Sequence, residues 1–383
     1  MRKGLIAASV AVLAFAAVAT AAVAKTEAAA SPAQVAACTN VSLGFLGPLT
    51  GPAGFLGQEQ ISWLRFGVQK YNKANKTRFK VAAGDTQLKA PVARTVARKF
   101  VSDSKVMAVI GGSESQAVRV SGNLFEKAGL ASISGSATAV DLTKGRPYTT
   151  FFRVNPNDAI QSPQIVAFVS GRLGAKNVVV IDSQDDYSIP LAGAISRGLR
   201  ARNVNVSRES VSADDTDFSS IVANVDNNVN VVVFATQVAS AANTLSNQLR
   251  EQAKKAVVFG TDGAYSPSQF KPKLGYVSVF APDLHFSRSA RALVREYNRY
   301  SKNRSFGAFG PATYMAGLVA TTAITEACAD GEATRSEVTT QVRRTNIPSI
   351  FGGNLRFSRK GDPLPTRFSF YKVQNGTYSP IAG

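Results

Sequence analysis

The stretch from Val106 to Thr138, VMAVIGGSESQAVRVSGNLFEKAGLASISGSAT, decides how the whole chain is read. Val106–Ile110 is an unbroken apolar run of strand length, followed by Gly111-Gly112-Ser113-Glu114-Ser115. A helix then runs to Gly129, and Ala131–Ile133 is a second apolar strand that empties into Ser134-Gly135-Ser136-Ala137-Thr138. A strand that is apolar at every position is covered on both faces, which is the condition of a parallel sheet. Gly129 stands just past the helix, where a left-handed residue closes it. The unit is strand, helix, strand, and its crossover is expected to be right-handed.

The same alternation continues in both directions. Strands are expected at Val41–Phe45, Phe79–Ala83, Val178–Ile181, Val231–Phe234 and Ala256–Phe259. Amphipathic stretches at Pro91–Phe100, Leu191–Ala201, Phe218–Val225 and Ala239–Ala253 predict the intervening helices. This is an α/β chain with parallel sheets covered by helices. Gly174 repeats the role of Gly129. Asp214-Asp215-Thr216-Asp217 precedes Phe218, so Thr216 or Asp217 is expected to cap that helix. No internal repeat is visible, and no low-complexity segment follows Ala37.

The first 24 residues read as a leader rather than as part of the fold. Arg2 and Lys3 precede an apolar run from Leu5 to Val23, and Ala22-Val23-Ala24 supplies the small residues a signal peptidase reads. The remaining chain, with 25–39 as a tail, is expected to be exported, with no later segment apolar for long enough to span a bilayer. Its length exceeds one compact core and suggests two domains.

The 44 Lys and Arg against 25 Asp and Glu give a formal charge of +19. The basic residues are scattered, as at Arg94, Arg98 and Lys99 or Arg288, Arg291 and Arg295. They form no aromatic-interleaved stripe of the kind nucleic acid requires. Export permits a disulfide between the two cysteines, Cys38 and Cys328. Val35-Ala36-Ala37-Cys38 also reads as a lipoprotein cleavage box, which would attach the protein to a cell surface through Cys38.

Catalysis finds little support. His285 is the one histidine, and there is no G-x-S-x-G, no metal-spaced His/Cys set and neither nucleotide-loop pattern. The expectation is a protein that is not an enzyme and needs no metal or cofactor. Ligands of open parallel sheets bind beyond the carboxyl ends of the strands. Five such positions are rich in glycine and hydroxyls: Gly47–Pro52, Gly111–Ser115, Ser134–Thr138, Asp182–Tyr187 and Gly260–Gly263.

In order and spacing, these loops resemble those of the type I periplasmic solute-binding proteins of ABC transporters, specifically the leucine/isoleucine/valine-binding family. The marks are Pro48-Leu49-Thr50-Gly51-Pro52 with Gly57, Val109-Ile110-Gly111, Ile133–Thr138, Asp186-Tyr187, Thr216-Asp217-Phe218, Gly260–Gly263 and Phe357–Asp362. The resemblance covers nearly all of the chain after the leader. It implies two Rossmann-like lobes joined by three hinge strands, with lobe 1 at 40–154 plus 284–354 and lobe 2 at 155–283 plus 358–383. Hinges would fall near 153–157, 281–285 and 355–360, where Pro156 and Pro282 suit stiff connections.

The resemblance further implies that Ser115, Ser136, Ala137 and Thr138 hold the carboxylate of an amino acid, while from the other lobe Asp262 faces its ammonium and Tyr187 contacts the ligand. Leu56, Gly112, Ser113 and Gln237 stand where the family often carries bulkier or aromatic residues, so a roomier and more polar pocket is expected. The implied partners are an amino acid or related amide-type solute and an ABC transporter permease, with the protein acting as a monomer. A soluble sensor that presents its ligand to a membrane signalling partner is the alternative.

Overall fold

The computed structural model describes Met1 and residues 35–38, 40–301, 306–364 and 367–381. The expected leader lies outside the described residues, and residues 34–383 form a compact unit. Strand β1 (Val35–Ala37) leads into β2 (Ser42–Gly47), α1 (Gly54–Asn75), β3 (Lys80–Asp85), α2 (Ala90–Ser102), β4 (Val106–Gly111), α3 (Ser115–Lys127), β5 (Ala131–Ser134) and β6 (Phe151–Arg153). Strands β3-β2-β4-β5-β6 lie side by side in that order, all parallel. Strands β2 and β4 are buried along their whole length, as their unbroken apolar sequence requires.

Through Val154–Asn157 the chain enters a second sheet. It comprises α4 (Asp158–Ala167), β7 (Asn177–Asp182), α5 (Ser188–Arg200), β8 (Asn205–Ser210), α6 (Ser219–Ala223), β9 (Val231–Ala235), α7 (Ala239–Glu251), β10 (Val257–Gly260) and β11 (Gly275–Val279). It then returns as α8 (Arg291–Tyr300), α9 (Phe309–Ala327), β12 (Glu332–Thr334) and α10 (Arg335–Arg343). The small antiparallel group β13 (Asn346–Pro348), β14 (Asn354–Phe357) and β15 (Pro363–Leu364) follows. Finally β16 (Ser369–Gln374) and β17 (Thr377–Ile381) complete the second sheet, in the order β17-β16-β11-β10-β9-β7-β8.

Every strand and helix expected above is present within a few residues of its predicted ends. Gly129 and Gly174 both have positive φ. Asp217 accepts the Ser219 N–H at 3.0 Å from just before the N-cap position, which Phe218 occupies, and the helix begins one residue later than its sequence suggests. The strands that escaped the sequence reading include β16 and β17, which pair antiparallel and carry polar residues between the apolar ones.

Two helices bind the ends of the chain together. The apolar α9 packs along α1, and Trp63 of α1 stacks on Tyr297 of α8 with ring centres 3.8 Å apart. Strand β1 pairs antiparallel with β12, and Cys38 is disulfide-bonded to Cys328 at the end of α9. A sulfur in that bond is not available for a lipid thioether.

At the other end of α1, a Cβ on Gly57 would overlap the carbonyl of Pro48. Gly57→Ala is therefore expected to force the 48–52 loop away from the helix and lower stability by about 1–3 kcal/mol, read as an earlier urea midpoint. An unchanged midpoint would mean that the loop yields freely.

Candidate functional site

All five strand-end loops reach one small enclosed cavity between the two sheets. From the first sheet come Pro48, Leu56, Gln60, Ser113, Glu114, Ser115, Ser136 and Ala137; from the second come Tyr187, Gln237, Asp262 and Gly263; Phe309 of α9 closes it. Parallel strands put these residues together because each sheet delivers its loops at the same edge. The cavity measures about 20 Å³, far below the roughly 300–1,000 Å³ of typical ligand pockets. In this conformation Gln237 spans the gap, its Nε2 3.4 Å from Gln116 Oε1 and 3.3 Å from Asp185 Oδ2. A larger groove of about 640 Å³ lies beside α4 and the 282–287 segment, but none of the five loops reaches it.

On the first-sheet side, Ser115 Oγ accepts the Ala139 N–H at 3.3 Å, which leaves its hydroxyl proton free to donate. Glu114 stands at the N-cap of α3 without capping it, so the first-turn N–H groups of that helix have no side-chain partner. Ser136 donates to the Ser113 carbonyl at 2.7 Å and accepts from Gln60 Nε2 at 2.9 Å. The N–H groups of Ser136 and Ala137 turn inward to Ser134 Oγ, at 3.3 and 2.9 Å.

Two residues expected in the pocket do not line it. Gly112 has φ +53 and its missing side chain would point into Val118 of α3. Thr138 spends its carbonyl on the Asp158 N–H at 2.9 Å and is buried beneath the cavity wall.

The second-sheet side is a carboxylate cluster. Asp262 Oδ1 accepts from the Tyr187 hydroxyl at 2.6 Å and from Gln161 Nε2 at 2.7 Å; Thr261 Oγ1 lies 2.7 Å from the same tyrosine oxygen. Asp158 is buried nearby, with the Thr138 hydroxyl beside its carboxyl. Burial raises both acids above the ordinary aspartate range, and like-charge repulsion between them adds to it. Burial likewise drives the Tyr187 hydroxyl well up, with Asp262 second. Across the cavity, burial pushes Glu114 up to about 7, against the Thr86 hydroxyl that donates to it.

At the rim, Arg119 of α3 forks onto Asp141 at 2.7 and 2.8 Å. Its Nη1 also donates to the Asp186 carbonyl across the gap at 2.8 Å. The sequence reading missed Asp158, Glu114, Gln60 and Gln161. Asp158 and Glu114 look like ordinary helix-start acids, and Gln60 and Gln161 are mid-helix amides with no local signal.

These acids also set a pH dependence. A carboxyl raised in the folded state holds a proton that the unfolded chain has released. Its stabilisation is complete below the unfolded pKa and is lost as pH climbs through the folded one. Glu59 and Glu114, both pushed from 4.5 to about 7 mainly by burial, and Asp158, raised for the same reason, act in this direction. The ligand-free protein is expected to melt several degrees lower at pH 8 than at pH 5.5. A melting temperature that rises over that window would contradict the assignment.

The family described as periplasmic binding protein matches residues 40–377. A leucine-, isoleucine-, valine-, threonine- and alanine-binding protein of Pseudomonas aeruginosa is 25% identical over 344 residues, which is 88% of this chain and 90% of that protein. A leucine-binding protein of Thermotoga maritima superposes with a TM-score of 0.78 at 20% identity, over 89% of this chain and 98% of its own. A solute-binding protein of an ABC transporter from R. palustris, solved with benzoate, gives the same TM-score of 0.78 at 14% identity, over 89% of this chain and 95% of that one. The fold is thus shared by proteins with unlike solutes, and the cavity residues must decide the ligand. Among the described residues no helix is long and apolar enough to cross a membrane. With the match spanning both sheets and the cavity between them, the chain belongs to the periplasmic binding protein family, whose members are exported binding proteins and not enzymes.

Proposed function

We propose that the protein captures a small amino acid or related amide-type solute between two lobes and delivers it to an ABC permease. The lobes would be 40–154 plus 284–354 and 155–283 plus 358–383, hinged near 153–157, 281–285 and 355–360. The observation that carries this reading is the convergence of hydroxyls, helix N–H groups and buried carboxylates from both sheets on one cavity.

The chemistry suits a zwitterion. The Ser115 hydroxyl and the free N–H groups at the start of α3 meet a carboxylate with donors and a favourable dipole. Opposite them, Asp262 meets an ammonium, with Asp158 buried behind it; the cation replaces the proton that the crowded acids otherwise retain. A cavity of about 20 Å³ admits no amino acid, so the lobes open for entry and close afterwards. The contact of Arg119 with Asp186 fits a latch on the closed form. The relative from Pseudomonas aeruginosa supports an amino-acid ligand by its name.

The test is thermal unfolding of the protein without residues 1–24 against free amino acids and small amides. A micromolar ligand at millimolar concentration contributes about 4 kcal/mol, a shift of several degrees. Scattering profiles should also compact on binding. A full library without any shift would remove the reading.

A further inference from the structure

Two buried acceptors on the first-sheet wall have no partner. Glu114 is 2% exposed. Its Oε1 accepts from the Thr86 hydroxyl, while Oε2 is buried and bonded to nothing in the protein. Gln60 is 1% exposed and its Oε1 is equally unpartnered. The orientation of this amide is fixed: Ser136 already donates its one hydroxyl proton to the Ser113 carbonyl, so it must accept from Gln60, and the end facing it is the NH₂.

Among the described residues that line the cavity, Glu114 Oε2 and Gln60 Oε1 are the buried side-chain atoms without a partner; Gln60 Oε1 is an acceptor, and so is Glu114 Oε2 when the carboxyl is ionised. No lysine, arginine or histidine lines the cavity to satisfy them. Buried polar atoms are paired in almost every folded protein, and an unpaired one at a binding surface is matched by the ligand.

We propose that Glu114 and Gln60 form a side-chain subsite for an N–H donor, so that the preferred solute is an amino acid ending in a carboxamide or a cationic amino group. The inference rests on the amino-acid reading above and narrows it. An aliphatic side chain at this wall would leave a desolvated carboxyl oxygen facing methyl groups. A donor side chain would satisfy it.

The two sources of the N–H group differ at Glu114. A cation needs the carboxylate charge, whereas a neutral amide needs only an oxygen to accept its hydrogen. The experiment is calorimetry of the wild type with leucine, glutamine and lysine, repeated on Glu114→Gln and Glu114→Leu. Glutamine or lysine should bind the wild type at least tenfold more tightly than leucine. Glu114→Leu should abolish that preference. Glu114→Gln, which preserves size, should spare glutamine if the amide is the natural group and weaken lysine at least tenfold if the cation is.

Leucine binding as tightly as the donor-bearing ligands to the wild type overturns the subsite and leaves the amino-acid reading intact. That ranking needs no variant to fold. Equal losses for all three ligands in Glu114→Leu also overturn it. Failure of every amino acid to bind overturns both.

Discussion

Asp262→Ala is expected to weaken binding of any stabilising amino acid by roughly 2–4 kcal/mol, about 30- to 1,000-fold in Kd. The carboxylate lies in a cavity that excludes water, and an ammonium brought there loses its hydration shell. Without Asp262 the cation must rely on Asp158, while the Tyr187 hydroxyl and the Gln161 amide lose their shared acceptor. Asp158 limits the damage. Once its like-charged neighbour is gone it ionises more readily, because the Asp262 charge is part of what holds it protonated. The double change Asp158→Ala/Asp262→Ala should therefore exceed Asp262→Ala, and Asp262→Asn should fall below it. Calorimetry decides: unchanged affinity in Asp262→Ala removes this residue from the site.

Loss of the Cys38–Cys328 bond should cost roughly 2–5 kcal/mol of folding stability. The bond links residues 290 apart in sequence, so the unfolded chain it constrains is very long. In the folded state it fastens the strand that opens the described fold to the end of α9, the helix that packs along α1. The double serine variant should unfold at a lower urea concentration than the oxidised wild type and match the wild type unfolded under reduction. Neither cysteine lines the cavity, so ligand affinity should be preserved. Equal midpoints with and without reductant would show that the β1–β12 pairing and the core hold this end of the chain unaided.

The fold was legible because its signals are local. Val106–Ile110 or Val231–Phe234 announces a strand covered on both faces without knowledge of its neighbours. Gly129 and Gly174 mark helix ends by a backbone conformation that glycine alone adopts freely. Strands β16 and β17 were not legible, since antiparallel strands with polar positions between the apolar ones have no such signature. Tyr187, Asp262, Ser115 and Ser136 were candidates because strand-end loops carry them, and they line the cavity; Thr138 and Gly112 were candidates for the same reason and do not. Position in a loop does not say which way a residue turns.

Sequence alone determined the α/β class and the strand-end loops that line the cavity, since each follows from patterns within a few residues. Only the tertiary structure decided the chemistry inside. Gln60 meets Ser136 across 76 positions and Gln161 meets Asp262 across 101. Burial raises Asp158 and Glu114 only once both sheets enclose them. Desolvation and unpaired acceptors are properties of an enclosed volume, and no local segment of the chain encloses one.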